Sequence, residues 1–65
     1  MNKEKLKEGL NLSFEGMIWA EGLKDIAQTK IEQNIATAMY EAFWCLFTIL
    51  FEIAKKGKQN EHPNN

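Results

Sequence analysis

From Leu23 onward, apolar residues recur at helical intervals through Ile26, Ile31, Ile35, Ala38, Ala42, Leu46, Ile49 and Ile53, with no Pro and no Gly before Gly57. The spacing predicts a long helix. Its most apolar part, residues 35–53, carries more apolar surface than one neighbour can bury. At about 100° per residue, Ile35, Ala38, Ala42, Leu46, Ile49 and Ile53 fall on one stripe, the expected core face. Tyr40, Trp44, Phe47 and Phe51 form a second stripe roughly 170° away, and Met39, Phe43 and Leu50 fill the gap on one side. The joined arc covers roughly 240°, whereas an amphipathic surface helix needs a stripe only somewhat wider than about 100°. Asn34, Thr37, Glu41, Cys45, Thr48, Glu52, Lys55 and Lys56 occupy the remaining arc, which faces water in this reading.

The N-terminal part is more ambiguous. Leu6 stands almost alone in the polar first residues and Gly9 interrupts them, so fraying is expected there. Leu10, Phe14, Met17 and Ile18 mark one helix face, with Ser13 as a candidate N-cap for a helix starting at Phe14. A rival reading pairs Leu12 and Phe14 with Met17 and Trp19 as a small hairpin across Glu15-Gly16, an arrangement that is marginal on its own. Trp19, with Leu23 and Ile26, is expected to pack on the long helix. The break between the helices lies near Gly22 or near Thr29, where Thr29-Lys30-Ile31-Glu32 has capping-box spacing. Gly57 after Lys55 and Lys56 suits a helix C-terminus, and the polar residues 58–65 with Pro63 read as a disordered tail. The expected fold is therefore all-α: a short N-terminal helical arm and one long C-terminal helix, forming a single helical domain over residues 1–57.

Length changes the picture most. A 65-residue chain buries little of its own surface, and the usual staples are missing from its sequence. Cys45 is the lone cysteine, and no Cys, His and carboxylate set has zinc-ligand spacing. Assembly into a helical-bundle homo-oligomer, a dimer or larger, is the simplest way to complete the core. The formal net charge of −1 and pI near 5.7 argue against nucleic acid as a partner. Every basic residue other than His62 is Lys, so the bidentate Arg fork that recognises phosphate and guanine is missing. The N-terminal residues mix both charge signs without an apolar run of signal-peptide length, which with the free cysteine makes the cytoplasm the expected compartment.

No group of residues points to catalysis or to a cofactor. Cys45 shares its helix face with Glu41 and Glu52, carboxylates that oppose thiolate formation, and the single His62 lies in the polar tail. Glu41 and Glu52 are three turns apart, about 16 Å along a helix, too far to act as a pair within one chain. Gly16 and Gly22 lack the pattern of a phosphate-binding loop and read as turn or close-packing positions. The expected function is binding without catalysis, through an interface of Ile35, Ala42, Leu46, Ile49 and Ile53 with Tyr40, Trp44, Phe47, Phe51 and Trp19. Alternatives are a small accessory, adaptor or inhibitor protein, including one carried by a mobile element, whose aromatic stripe binds a different protein or whose protomers enclose a small ligand. Attachment to a membrane surface is a further alternative; Glu41 and Glu52 oppose a full span, since the charge-free run over residues 42–51 is only half its length.

Overall fold

The structure, a computed structural model, describes residues 2–60 and consists there of two α-helices, α1 (Lys3–Ile26) and α2 (Lys30–Asn60). They pack as a rod whose Cα atoms extend 55 Å by 15 Å by 15 Å. The all-helical reading holds, but α1 is no short arm: its 24 residues run alongside most of the 31 of α2.

Local chemistry fixes the helix ends. Asn2 caps α1, its side-chain Oδ1 accepting a 2.7 Å hydrogen bond from the Glu4 backbone N–H. Residues 3–8 are thus helical rather than frayed, and Gly9 sits inside the same helix. Ser13 is not an N-cap: it is buried in mid-helix, with its hydroxyl donating to the Gly9 carbonyl at 2.8 Å. The segment proposed as a hairpin is helical throughout, since burial against α2 outweighs the turn signal of Glu15-Gly16.

Of the two candidate breaks, the structure selects the one at Thr29. Thr29 Oγ1 accepts from the Glu32 N–H at 3.1 Å, and the Glu32 carboxylate accepts in return from the N–H groups of Thr29 at 3.0 Å and Gln28 at 2.9 Å. This is the reciprocal capping box, extended by one further donor. Gly22 lies within α1. Gly57 likewise lies within α2, which continues to Asn60, so it is not a C-terminal cap. Of the polar tail, residues 61–65 lie outside the described residues.

Packing between the helices departs most from expectation. The face of α1 turned to α2 is built from small residues, Gly9, Ser13, Gly16 and Ala20, flanked by Leu6 and Met17. Against them α2 sets larger side chains: Met39, Tyr40, Phe43, Phe47 and Leu50, half-buried, with Ala36 buried near the turn. Gly9 lies under Leu50 and Gly16 under Phe43. Moving seven residues forward in one helix moves seven back in the other, so the helices are antiparallel in constant register. The core of the hairpin is therefore the middle of the apolar arc of α2, and not the stripe of Ile35, Ala38, Ala42, Leu46, Ile49 and Ile53, which is exposed. The reason is steric: glycines and a serine on α1 make a groove that rings and branched chains of α2 can enter, and α1 is only one helix wide.

Candidate interaction surfaces

With α1 seated on the middle of its arc, α2 is left with apolar residues on both flanks, and α1 adds its own to each. On one flank α2 presents Ile35, Ala38, Ala42, Leu46, Ile49 and Ile53. Leu12, Trp19 and Ile26 recur every seven residues on α1 and line the same side of the rod. An open groove bounded by Leu23, Ile26, Ala27, Glu32, Ile35 and Ala36 shows the two helices sharing this side. We call it the aliphatic face.

Trp19 is therefore not packed into the hairpin as expected. It is 56% exposed, because at about 100° per residue it lies a quarter turn from the Gly16 and Ala20 line that meets α2. Leu46 is 51% exposed on the same face.

The opposite flank is aromatic. Phe47 bridges the helices, its ring centroid 6.3 Å from Phe14 of α1 and 6.1 Å from Phe51. These separations suit tilted and offset ring pairs. Phe51 and Trp44 point largely into solvent, Trp44 at 54% exposure, while Tyr40 and Phe47 are half-buried against α1. Beyond the rings, Glu21, Lys24, Thr37, Tyr40, Glu41 and Trp44 border an open groove. The expected aromatic stripe is thus present but divided: Tyr40 and Phe47 serve the hairpin, and Trp44 and Phe51 stay exposed.

Two residues of the aromatic face, Phe14 and Ile18, and two of the aliphatic face, Leu12 and Ile26, were not among the expected contact residues. For Leu12 and Ile26 the signal was their seven-residue recurrence with Trp19, and Phe14 and Ile18 belong to the helix face already marked with Leu10 and Met17.

The polar back of α2 has the expected composition. Cys45 is exposed there as a free thiol, and Glu52 lies 4.0 Å from Lys55 one turn on, an exposed pair that contributes little to stability. Among the described residues, no three His, Cys, Asp or Glu side chains are grouped to hold a metal ion. At the turn between the helices, the backbone N–H of Gln28, then that of Thr29, holds the Glu32 carboxyl below the ordinary carboxylate range. Its work is capping α2. Comparison with protein-family models, with curated proteins and with solved structures finds no match to this chain.

Proposed function

We propose that this chain is an interaction protein without catalytic activity, a helical hairpin that self-associates through apolar surface and offers the surface left over to a different protein. One observation carries the reading. Twelve large apolar side chains are exposed, while the only buried apolar residues among those described are Leu6, Met17, Ala20 and Ala36. A soluble monomer scatters single apolar residues over its surface; continuous apolar faces mark contact sites. Two helices with so small a shared core are also at a size where intramolecular burial is marginal.

Self-association predicts a discrete oligomer in dilute buffer, measured by native mass spectrometry and light scattering. A folded monomer at micromolar concentration, with its helical circular dichroism intact, would refute it. The aromatic face supports the second half of the proposal, since Trp and Tyr are enriched among residues that dominate binding energy. Trp44→Ala is expected to keep the fold and the oligomer while losing a protein that co-purifies with the parent chain.

A bilayer reading draws on α2, whose residues Lys30–Gly57 are long and apolar enough to cross a membrane, with few of them buried in the hairpin. The hairpin itself opposes it. In the antiparallel register, Glu15 of α1 is level with Trp44 at the middle of that segment, and Glu8 and Glu21 are level with Phe51 and Ala38 inside it, and charges at such depth cost several kcal/mol. To cross, α2 would have to release α1, exposing the glycine groove and leaving Phe43 without its seat. Flotation with phosphatidylcholine vesicles is expected to leave the protein at the bottom of the gradient.

A further inference from the structure

We infer that the occupant of the aliphatic face is a second copy of this chain, seated about a twofold axis parallel to the rod so that Trp19 of each protomer enters the notch between Ala38 and Ala42 of the other; this rests on the self-association proposed above. The register on the page sets the geometry. Gly16 lies opposite Phe43, so Trp19, three residues nearer the turn, is level with Tyr40 and hence with the interval between Ala38 and Ala42 on the aliphatic side. By the same register Leu12 is level with Phe47, beside Leu46, and Ile26 with Gln33, between Ile31 and Ile35. The largest side chain of the face on α1 thus stands at the height of the two smallest on α2.

A twofold axis along the rod, lying in the plane of contact, sets α1 of one protomer over α2 of the other without changing level. Trp19 then meets the alanines, Leu12 meets Leu46, and Ile26 meets Ile35, twice each. At the level of Trp19 a knob faces a gap, and every helix is antiparallel to its neighbours. An in-plane axis perpendicular to the rod instead lays α1 on α1 and α2 on α2, which sets no Trp against an alanine notch by register.

The area suffices. From Ile31 to Ile53 the face runs about 33 Å at about 1.5 Å per residue, and two helices side by side are roughly 20 Å wide. Each protomer therefore contributes roughly 660 Å², for about 1,300 Å² in total, within the range of stable interfaces of about 1,200–2,000 Å². Glu41 and Glu52 lie on the polar back of α2, outside the contact, while on α1 Glu8 and Glu15 flank Leu12 and Trp19 at the rim of the face, where Glu8 pairs with Lys5 at 3.6 Å.

Single-cysteine chains test the arrangement in a Cys45→Ser background. A chain carrying Leu12→Cys and one carrying Leu46→Cys are each expected to remain reduced as dimers under mild oxidation, since equivalent positions lie on opposite sides of the axis. Mixed, unfolded and refolded together, they should give a heterodisulfide as the main covalent product. Trp19→Ala, which leaves the buried residues of the hairpin in place, should raise the dimer dissociation constant about thirtyfold or more. A dimer in which either single variant crosslinks to itself, in which the mixture gives no heterodisulfide, or whose affinity ignores Trp19→Ala would overturn this geometry while leaving self-association intact. A folded monomer throughout would sink both.

Discussion

Three glycines of α1 receive the same added methyl group in three different surroundings, and the hairpin predicts three different results. A Cβ on Gly22 would meet nothing within 4 Å. Gly22→Ala should therefore return only the helix-propensity difference, a stabilisation of about 0.8–1 kcal/mol. On Gly9 the new carbon would stand 2.9 Å from Leu50 Cδ1, the far end of a flexible side chain that can turn aside. Part of the propensity gain is then spent on repacking, and Gly9→Ala should be neutral or slightly stabilising. On Gly16 the same carbon would lie 2.6 Å from Cγ of Phe43 and nearer still to Cδ1, so the ring itself must move. Overpacking of this kind costs typically about 1–3 kcal/mol, which exceeds the propensity gain and leaves Gly16→Ala destabilised by up to about 2 kcal/mol. In a domain this small, about 1 kcal/mol moves the melting midpoint by roughly 4–8 °C. Thermal unfolding followed by circular dichroism would order the midpoints Gly22→Ala above Gly9→Ala above Gly16→Ala, at one protomer concentration, because association makes the midpoint concentration-dependent. Phe43→Leu should recover part of the Gly16→Ala loss in a double-mutant cycle, the signature of direct contact. If Gly16→Ala stabilised as much as Gly22→Ala, Phe43 would not be seated over Gly16 and the register argued above would fall with it.

Further outcomes follow from the cap, the aromatic face and the polar back. Thr29→Ala removes the side-chain acceptor for the Glu32 N–H and should cost about 0.5–2 kcal/mol in chemical denaturation. Because the Glu32 carboxyl is held below its ordinary value in the folded chain, its contribution is complete above the unfolded carboxylate value of about 4.3 and is lost as pH falls through the lower folded value. The midpoint of Glu32→Gln should accordingly fall less than that of the parent between about pH 5 and 3; parallel curves would rule the cap out as the cause. Phe51→Ser, on an exposed ring stacked on Phe47, should leave oligomer mass unchanged, and dissociation into monomers would show that the aromatic face and not the aliphatic one joins the protomers. Cys45 is exposed on the polar back and should react with a maleimide in the native oligomer as fast as in the unfolded chain; protection would place the back of α2 in a contact.

The long helix α2 was legible in the sequence, whereas the length of α1 and the pairing between the helices were not. Periodicity from Ile31 to Ile53 and the Thr29-to-Glu32 capping box are local signals that the fold keeps, whereas Leu23 and Ile26, in line with that periodicity, fall in α1 across the break. The face of α1 was misread for a physical reason. Hydrophobic periodicity marks large apolar residues, so Leu10, Phe14, Met17 and Ile18 stood out, while the line that contacts α2 is mostly Gly9, Ser13, Gly16 and Ala20. Their intervals of four, three and four are as regular as any apolar stripe. Such residues bury little area themselves and act by letting a partner approach, a contribution that a hydrophobicity count does not register.

The same inversion explains the surfaces. An arc of about 240° has no unique centre until its partner's width and shape are known. Once α1 offers a narrow groove, Phe43 and Leu50 occupy it, and the aliphatic stripe and the outer aromatics are displaced to opposite flanks. Had α1 carried leucines at positions 9, 13, 16 and 20, the rings of α2 would have been held off and the hairpin's own core would have been larger. On the self-association proposed above, a chain that places its small residues in the internal contact and its large ones outside moves burial from within the protomer to between protomers. In such a chain folding and assembly are coupled. Dilution should then lower helical content along with oligomer mass, and a protomer that kept full helicity after dissociation would show the internal contact to be sufficient alone.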